Sequence, residues 1–401
     1  MNSSTQLAGV AVLSLLGIPV LVQADNESLI NYPLDFGITA SPAIEISTRH
    51  DDNIFLQDKI GVKSSWITEL APSIKLSAQQ GANNYTANYT LKAGRYHSSR
   101  NDDYVDHLFQ LNSHNEFNLR NKLDLSFDYL KLHERRGTGI SDSIIGVSKT
   151  PDEYRDLLFK GSYTYGGDQA TGRLKFDASH LDKKYTNNRD KTRVFDRKED
   201  GFGGTFFYRI MPKTSMVFEA VYKDIEYIND PAVVAKLDGD EQTYQIGVTW
   251  DTTVKTTGVV KIGKTYKNFD TNVRDDDDFT SWELGVKWAL RSYSVVNITS
   301  KSYPSETNGT GNFVRNKLFD ISWGHAWSDR LSSTLQTSFR NEDYVDSPRD
   351  DDLVFYSAAM DYQFQRTVSF GVNYSYSTRD SNINFQDYAD NIVLFSVKIG
   401  M

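Results

Sequence analysis

Seven histidines and several acidic clusters are the residues of this chain best suited to chemistry, and neither group forms a recognisable reaction centre. His107 stands beside Asp106 and near His114, but neither has a serine in a nucleophile motif close by; G-x-S-x-G and H-E-x-x-H are both absent. There is no cysteine, which argues against a soluble secreted protein held by disulfides and suits a barrel restrained by its closed hydrogen-bond ring. Asp51-Asp52-Asn53, Asp102-Asp103, Asp275 to Asp278 and Asp350 to Asp352 offer the oxygen ligands that calcium prefers. None has EF-hand spacing, and the same residues serve equally well as solvated turns. The chain is therefore expected to be no enzyme, with no cofactor and no metal site.

The remaining charges follow a rule of parity. Lys92, Lys160, Arg173, Lys175, Lys261, Lys287, Arg340 and Lys398 occupy alternate positions between apolar residues, as do Asp124, Asp128, Asp177, Glu219, Glu283, Asp320 and Asp361. Such residues would line a water-filled lumen. Two readings stay open. The mixed wall is a track along which an anionic or neutral polymer slides, since conduction needs weak, repeated sites. Alternatively it is a solvated wall whose charges pair with one another.

These positions must be held by strands. Val393, Phe395, Val397, Ile399 and Met401 share one parity, while Asp390, Ser396 and Lys398 share the other. Val368, Phe370, Val372, Tyr374 and Tyr376 alternate in the same way with Ser369, Gly371, Asn373 and Ser375. A period of two puts one face of a strand in oil and the other in water. Runs of this kind recur from Ile38 onward, for example Trp66, Leu70, Ile74 and Leu76, or Tyr244, Ile246, Val248 and Trp250, or Phe313, Phe319, Ile321 and Trp323. The count is about eighteen strands, which predicts an all-β fold, a transmembrane antiparallel β-barrel. All six tryptophans fall on the apolar parity, and most lie near a strand end, where amphipathic rings meet the headgroups.

The connections alternate between short and long along the whole chain. Arg120-Asn121, Met211-Pro212-Lys213, Arg291-Ser292 and Gln365-Arg366 are short; residues 134–152, 182–199 and 267–278 are long. Outer-membrane barrels have short periplasmic turns and long outer loops, so an even strand number places both termini in the periplasm. Composition agrees. The 23 Tyr and 22 Phe against 9 Pro favour strands, and a net charge of −9 argues against nucleic acid as a partner. Residues 1–24 read as a signal peptide, with an apolar run from Leu7 to Val22 and small residues before a cleavage point after Ala24. Residues 25–401 form one barrel domain. No plug domain precedes Ile38, so a barrel too wide to fill itself would be open, or narrowed by loops folded inward.

The opening of the barrel resembles the Putative beta-barrel porin 2 family. The resemblance is carried by the alternating first strand from Ile38 to Ile46, then Asp51-Asp52-Asn53-Ile54-Phe55, Leu70-Ala71-Pro72-Ser73-Ile74 and Tyr85-Thr86-Ala87-Asn88-Tyr89. It implies a conduit for exopolysaccharide or capsular polysaccharide in the cell outer membrane of a Gram-negative bacterium. Its partners would be polysaccharide, outer-membrane lipid and lipopolysaccharide, and a periplasmic polysaccharide-export protein. A general diffusion porin for small solutes and a structural or adhesive surface barrel are the alternatives. Met401 departs from the terminal Phe or Trp usual in such barrels but keeps the apolar parity.

Overall fold

In the computed structural model, residues 30–142, 149–231, 236–253 and 255–401 are described. The signal peptide expected at residues 1–24 lies outside them. A two-residue strand β1 (Tyr32–Pro33) precedes eighteen long ones. The first nine are β2 (Ile38–Asp51), β3 (Ser65–Gln80), β4 (Asn83–Tyr96), β5 (Tyr104–Asn118), β6 (Asn121–Glu134), β7 (Asp152–Tyr165), β8 (Gly172–Tyr185), β9 (Arg197–Met211) and β10 (Thr214–Tyr227). The rest are β11 (Gly239–Thr253), β12 (Thr256–Phe269), β13 (Asp277–Arg291), β14 (Ser294–Glu306), β15 (Phe313–Ala326), β16 (Leu331–Val345), β17 (Asp350–Gln365), β18 (Val368–Ser381) and β19 (Tyr388–Gly400).

Each long strand pairs antiparallel with the next, and β19 returns to β2 with Gly400 opposite Ala43 and Ile392 opposite Asp51. The ring is closed, so the long strands leave no edge among themselves. Alternation explains why it closes without a packed core. On β3, Trp66, Leu70 and Ile74 are exposed, whereas Ser65, Ile67 and Glu69 on the other face are buried. The exposed face belongs to lipid, and the other encloses the lumen. Short turns and long connections alternate, and both described chain ends lie on the short-turn side. Register shifts at Glu116, Thr214, Trp250, Ala289 and Gln363 all fall beside short turns, where a bulge lets the chain reverse tightly.

The strands are taller than a membrane. Fourteen residues, as in β10, rise roughly 35 Å along a barrel axis at the usual tilt, against an apolar band of about 25 Å. The surplus lies towards the long connections. On the outer face of β10 the order from the short turn is Met216, Phe218, Ala220, Tyr222, then Asp224 and Glu226. The neighbouring strands turn polar in register with it, placing Asp200 and Asp240 opposite Asp224.

Phe313 departs from the sequence reading, which put it on the lipid face. It is fully buried and stacks on Phe279 with ring centroids 6.3 Å apart. It is the first residue of β15, beyond the apolar band, where strand parity no longer decides burial.

Candidate functional site

The barrel interior is an ion-paired wall whose character changes along its length. Lys92 reaches Glu69 at 3.1 Å, and Lys261 lies between Glu219 at 2.7 Å and Glu283 at 2.9 Å. Lys175 meets Asp177 at 2.8 Å, and Arg340 meets Glu342 at 2.9 Å. Arg173 stacks over Phe207 at 4.5 Å, with Asp168 no closer than 4.0 Å. Lys160, Lys287 and Lys398 have no ion-pair partner within 4.0 Å among the described residues, although Lys398 stands opposite Glu45 in register.

Towards the long connections the interior is dry. Lys267 on β12 is wholly buried, 2.8 Å from Glu306 and 3.2 Å from Glu241. Tyr227 donates to Glu306 at 2.5 Å, and Lys223 meets Glu241 at 2.7 Å. With the pair Arg197–Glu199 at 2.7 Å, the network runs from β9 to β14. Across the ring, Glu69 accepts from Tyr104 and from Arg49. Ile54, Ile67, Tyr96 and Tyr104 form an apolar cluster beside it, with Phe55 packed against them. Burying so much charge is tolerable only because each carboxylate has cationic or hydroxyl partners.

A loop completes this seal. Residues 135–142 leave the end of β6 and cross the mouth. Arg135 donates to the Ile54 carbonyl at 2.9 Å, and meets Asp390 at 3.1 Å and Asp51 at 3.0 Å. Arg136 meets Asp102 at 2.5 Å. Asp142 then meets Arg379 of β18 at 2.7 Å and Arg349 at 2.6 Å, and accepts from Asn308 at 3.3 Å. Arg349 also grips Asp351 through Nε and Nη2 and stacks over Tyr344 at 4.3 Å. Burial alone would lower its pKa; the hydrogen bonds to Asp351 and the charge of Asp142 more than offset that, and the guanidinium pKa is raised. Phe195, in the β8–β9 connection, lies against Gly309 in the β14–β15 connection. The loops thus touch across the opening and narrow the long-loop mouth.

Towards the short turns the wall opens. Lys75, Asn112 and Lys287 stand on the inner face and are exposed. The interior is a vestibule, open to solvent towards the short turns and crossed by loops at the other mouth.

Lys267, Arg349, Asp142, Arg379 and Asp51 are the residues of the seal that the sequence reading assigned to loops or left unremarked. The detectable signal was charge of both signs continuing past the strand ends. The similar hexapeptides 101–106 and 341–346 are placed differently in the fold: Tyr104 opens β5, whereas Tyr344 is the last residue but one of β16. Three histidines pair with acids, His114 with Asp124 at 2.6 Å, His133 with Asp106 at 2.9 Å and His180 with Asp200 at 2.7 Å, while His97 meets the Thr68 hydroxyl and His107 the Tyr89 hydroxyl, each at 2.9 Å. Among the described residues, no three His, Cys, Asp or Glu are grouped to hold a metal ion, and no helix is long and apolar enough to cross a membrane.

A family model described as Putative beta-barrel porin 2 matches residues 37–401. No curated protein matches the chain. Among solved structures, Pseudomonas aeruginosa OccK2 (OpdF) in complex with glucuronate is similar at 10% identity and TM-score 0.48, covering 90% of this chain and 98% of that one. P. aeruginosa OpdK with vanillate gives 8% identity and TM-score 0.48, with the same coverage. The FrpB iron transporter of Neisseria meningitidis gives 8% identity and TM-score 0.44, covering 89% of this chain and 81% of that one.

Proposed function

The chain belongs to the Putative beta-barrel porin 2 family of outer-membrane barrels, and from that footing we propose that it passes small hydrophilic solutes across the outer membrane. The observation that carries this reading is the polar vestibule, lined by exposed Lys75, Asn112 and Lys287 and crossed at its far end by residues 135–142. Eighteen strands enclose more space than their own side chains fill, so displacing the loop frees a water path. The short turns would face the periplasm, as in barrels of this architecture. The polar surplus of strand height above the apolar band would then stand among outer-leaflet headgroups and beyond.

Passage of a polysaccharide, handed on by a periplasmic export protein, is the other reading, and it rests on the width of the barrel, the mixed-charge wall and the family resemblance. The salt-bridged crossing of residues 135–142 argues against it, because a polymer needs a continuous bore. Purified protein in planar bilayers should show discrete conductance steps, and vesicles containing it should swell in small sugars. A barrel silent in both assays, together with loss of surface polysaccharide on gene deletion, would return the polymer reading to first place.

A further inference from the structure

The short turns carry an unbalanced charge. Arg120, Lys213, Lys255, Arg330 and Arg366 lie in five of the eight turns, and Arg291 ends β13 beside a sixth. All six are exposed. Arg120, Lys255, Arg291, Arg330 and Arg366 have no ion pair within 4.0 Å among the described residues. The acids of these turns are Asp168 and Asp329, and Asp168 is already engaged by Lys122 at 3.2 Å. Behind this rim, on the inner face, stand Lys75, Lys160, Lys287 and Lys398, again without ion-pair partners. The opposite mouth is acidic, and the whole chain carries −9.

We propose that the short-turn mouth is a capture funnel for small free anions, carboxylates or phosphate esters, which the unpaired vestibule lysines then hold weakly. The inference rests on the porin-like reading only in taking the vestibule as water-filled. A low-dielectric rim carrying six bases against two acids concentrates field lines and raises the local concentration of the counter-ion. Global charge cannot produce this effect, because a chain of −9 would repel anions. Rim bases direct the approach. Inner lysines extend the attraction inward; Glu45 and Asp361 share that face, but Lys75, Lys160 and Lys287 have no carboxylate within 4.0 Å among the described residues, which leaves their ammonium groups for a mobile anion.

The chain has no cysteine, so a single introduced thiol reports its own surroundings. Asn112→Cys places one inside the vestibule, and Ser292→Cys places one at the rim. Each full-length variant, folded in vesicles of zwitterionic lipid, is treated with an anionic sulfonatoethyl or a cationic trimethylammonium-ethyl methanethiosulfonate. The expected anion-to-cation rate ratio at position 112 exceeds that of free cysteine by about threefold or more, and collapses as salt shortens the screening length. Replacing the six rim bases with Gln should lower the ratio towards that of free cysteine; if that variant does not fold, the salt titration on Asn112→Cys alone decides. A ratio at or below that of free cysteine overturns the funnel. So does a preference confined to position 292 that vanishes when phosphatidylglycerol is added, since the bases would then serve lipid phosphates. The labelling is read whether or not the barrel conducts, so a silent bilayer refutes the porin reading separately.

Discussion

Asp142 and Arg379 are joined by an ion pair of 2.7 Å, although one leaves the end of β6 and the other lies on β18, six places away around the ring. Arg349 closes on the same carboxylate from a third direction, at 2.6 Å. One side chain therefore ties the loop after β6 to the adjoining ends of β17 and β18 across the mouth. A contact of this kind has no role in closing the barrel, which is complete without it, but it fixes where the loop lies.

Releasing that tie should open the mouth without unfolding the wall. Asp142→Asn keeps the size of the side chain and removes the charge that both guanidinium groups share. Single-channel conductance should rise and become noisier, and Arg379→Gln should do the same. Because both changes break one unit, the double variant should conduct no more than either single one. Conductance identical to that of the parent would show that the loop does not limit passage.

Lys267 should behave differently, because it holds wall to wall. It is wholly buried between Glu241 and Glu306. Lys267→Met leaves the buried Glu306 without its cation and Glu241 with Lys223 alone, and should cost about 3–5 kcal/mol, as removing one partner of a buried pair does. Adding Glu306→Gln removes the stranded charge and should recover part of the loss. Urea titration of the barrel in vesicles, followed by its heat-modifiable gel mobility, measures both. A cost no larger than that of a surface substitution would mean that the network is hydrated.

The barrel was legible in the sequence because a lumen wall and a lipid wall impose opposite demands on adjacent residues, and Ile246 beside Gln245 reports that demand locally. The alternation of short and long connections is equally local. The seal was not legible. Arg135 and Asp390 are 255 residues apart in sequence, and nothing near either names the other. Lys267 read as loop because β12 runs on past the apolar band to Phe269. Above the membrane both faces of a strand are covered, and period two loses its meaning; the burial of Phe313 has the same cause.

Gly94 and Tyr104 test the packing of the seal from the backbone side. They face each other in register, and a Cβ on Gly94 would fall 2.2 Å from the Tyr104 ring. Gly94→Ala must push the ring away and weaken its hydrogen bond to Glu69, at a cost of about 1–3 kcal/mol for overpacking. Tyr104→Phe keeps the ring but removes a hydrogen bond to a charged carboxylate and should cost about 1.5–3 kcal/mol. Combined, the two should cost less than their sum, since the displaced ring has already lost its bond. Simple additivity would place the glycine's effect elsewhere.

The placement of the apolar band fixes the height at which all of this happens, and two outer-face positions on adjacent strands decide it. Ile246 lies between Phe218 and Ile262, in the middle of the band. A lysine there faces hydrocarbon and should cost about 2–4 kcal/mol. Asp224 lies three positions nearer the long connections on its own face, with Asp200 and Asp240 directly opposite. Like charges facing each other across strands are unfavourable, so Asp224→Lys should be neutral or stabilising. Refolding into vesicles over a urea series compares the two. If Asp224→Lys costs as much as Ile246→Lys, lipid tails reach that level, and the seal of Lys267, Glu241 and Glu306 lies within the membrane rather than above it.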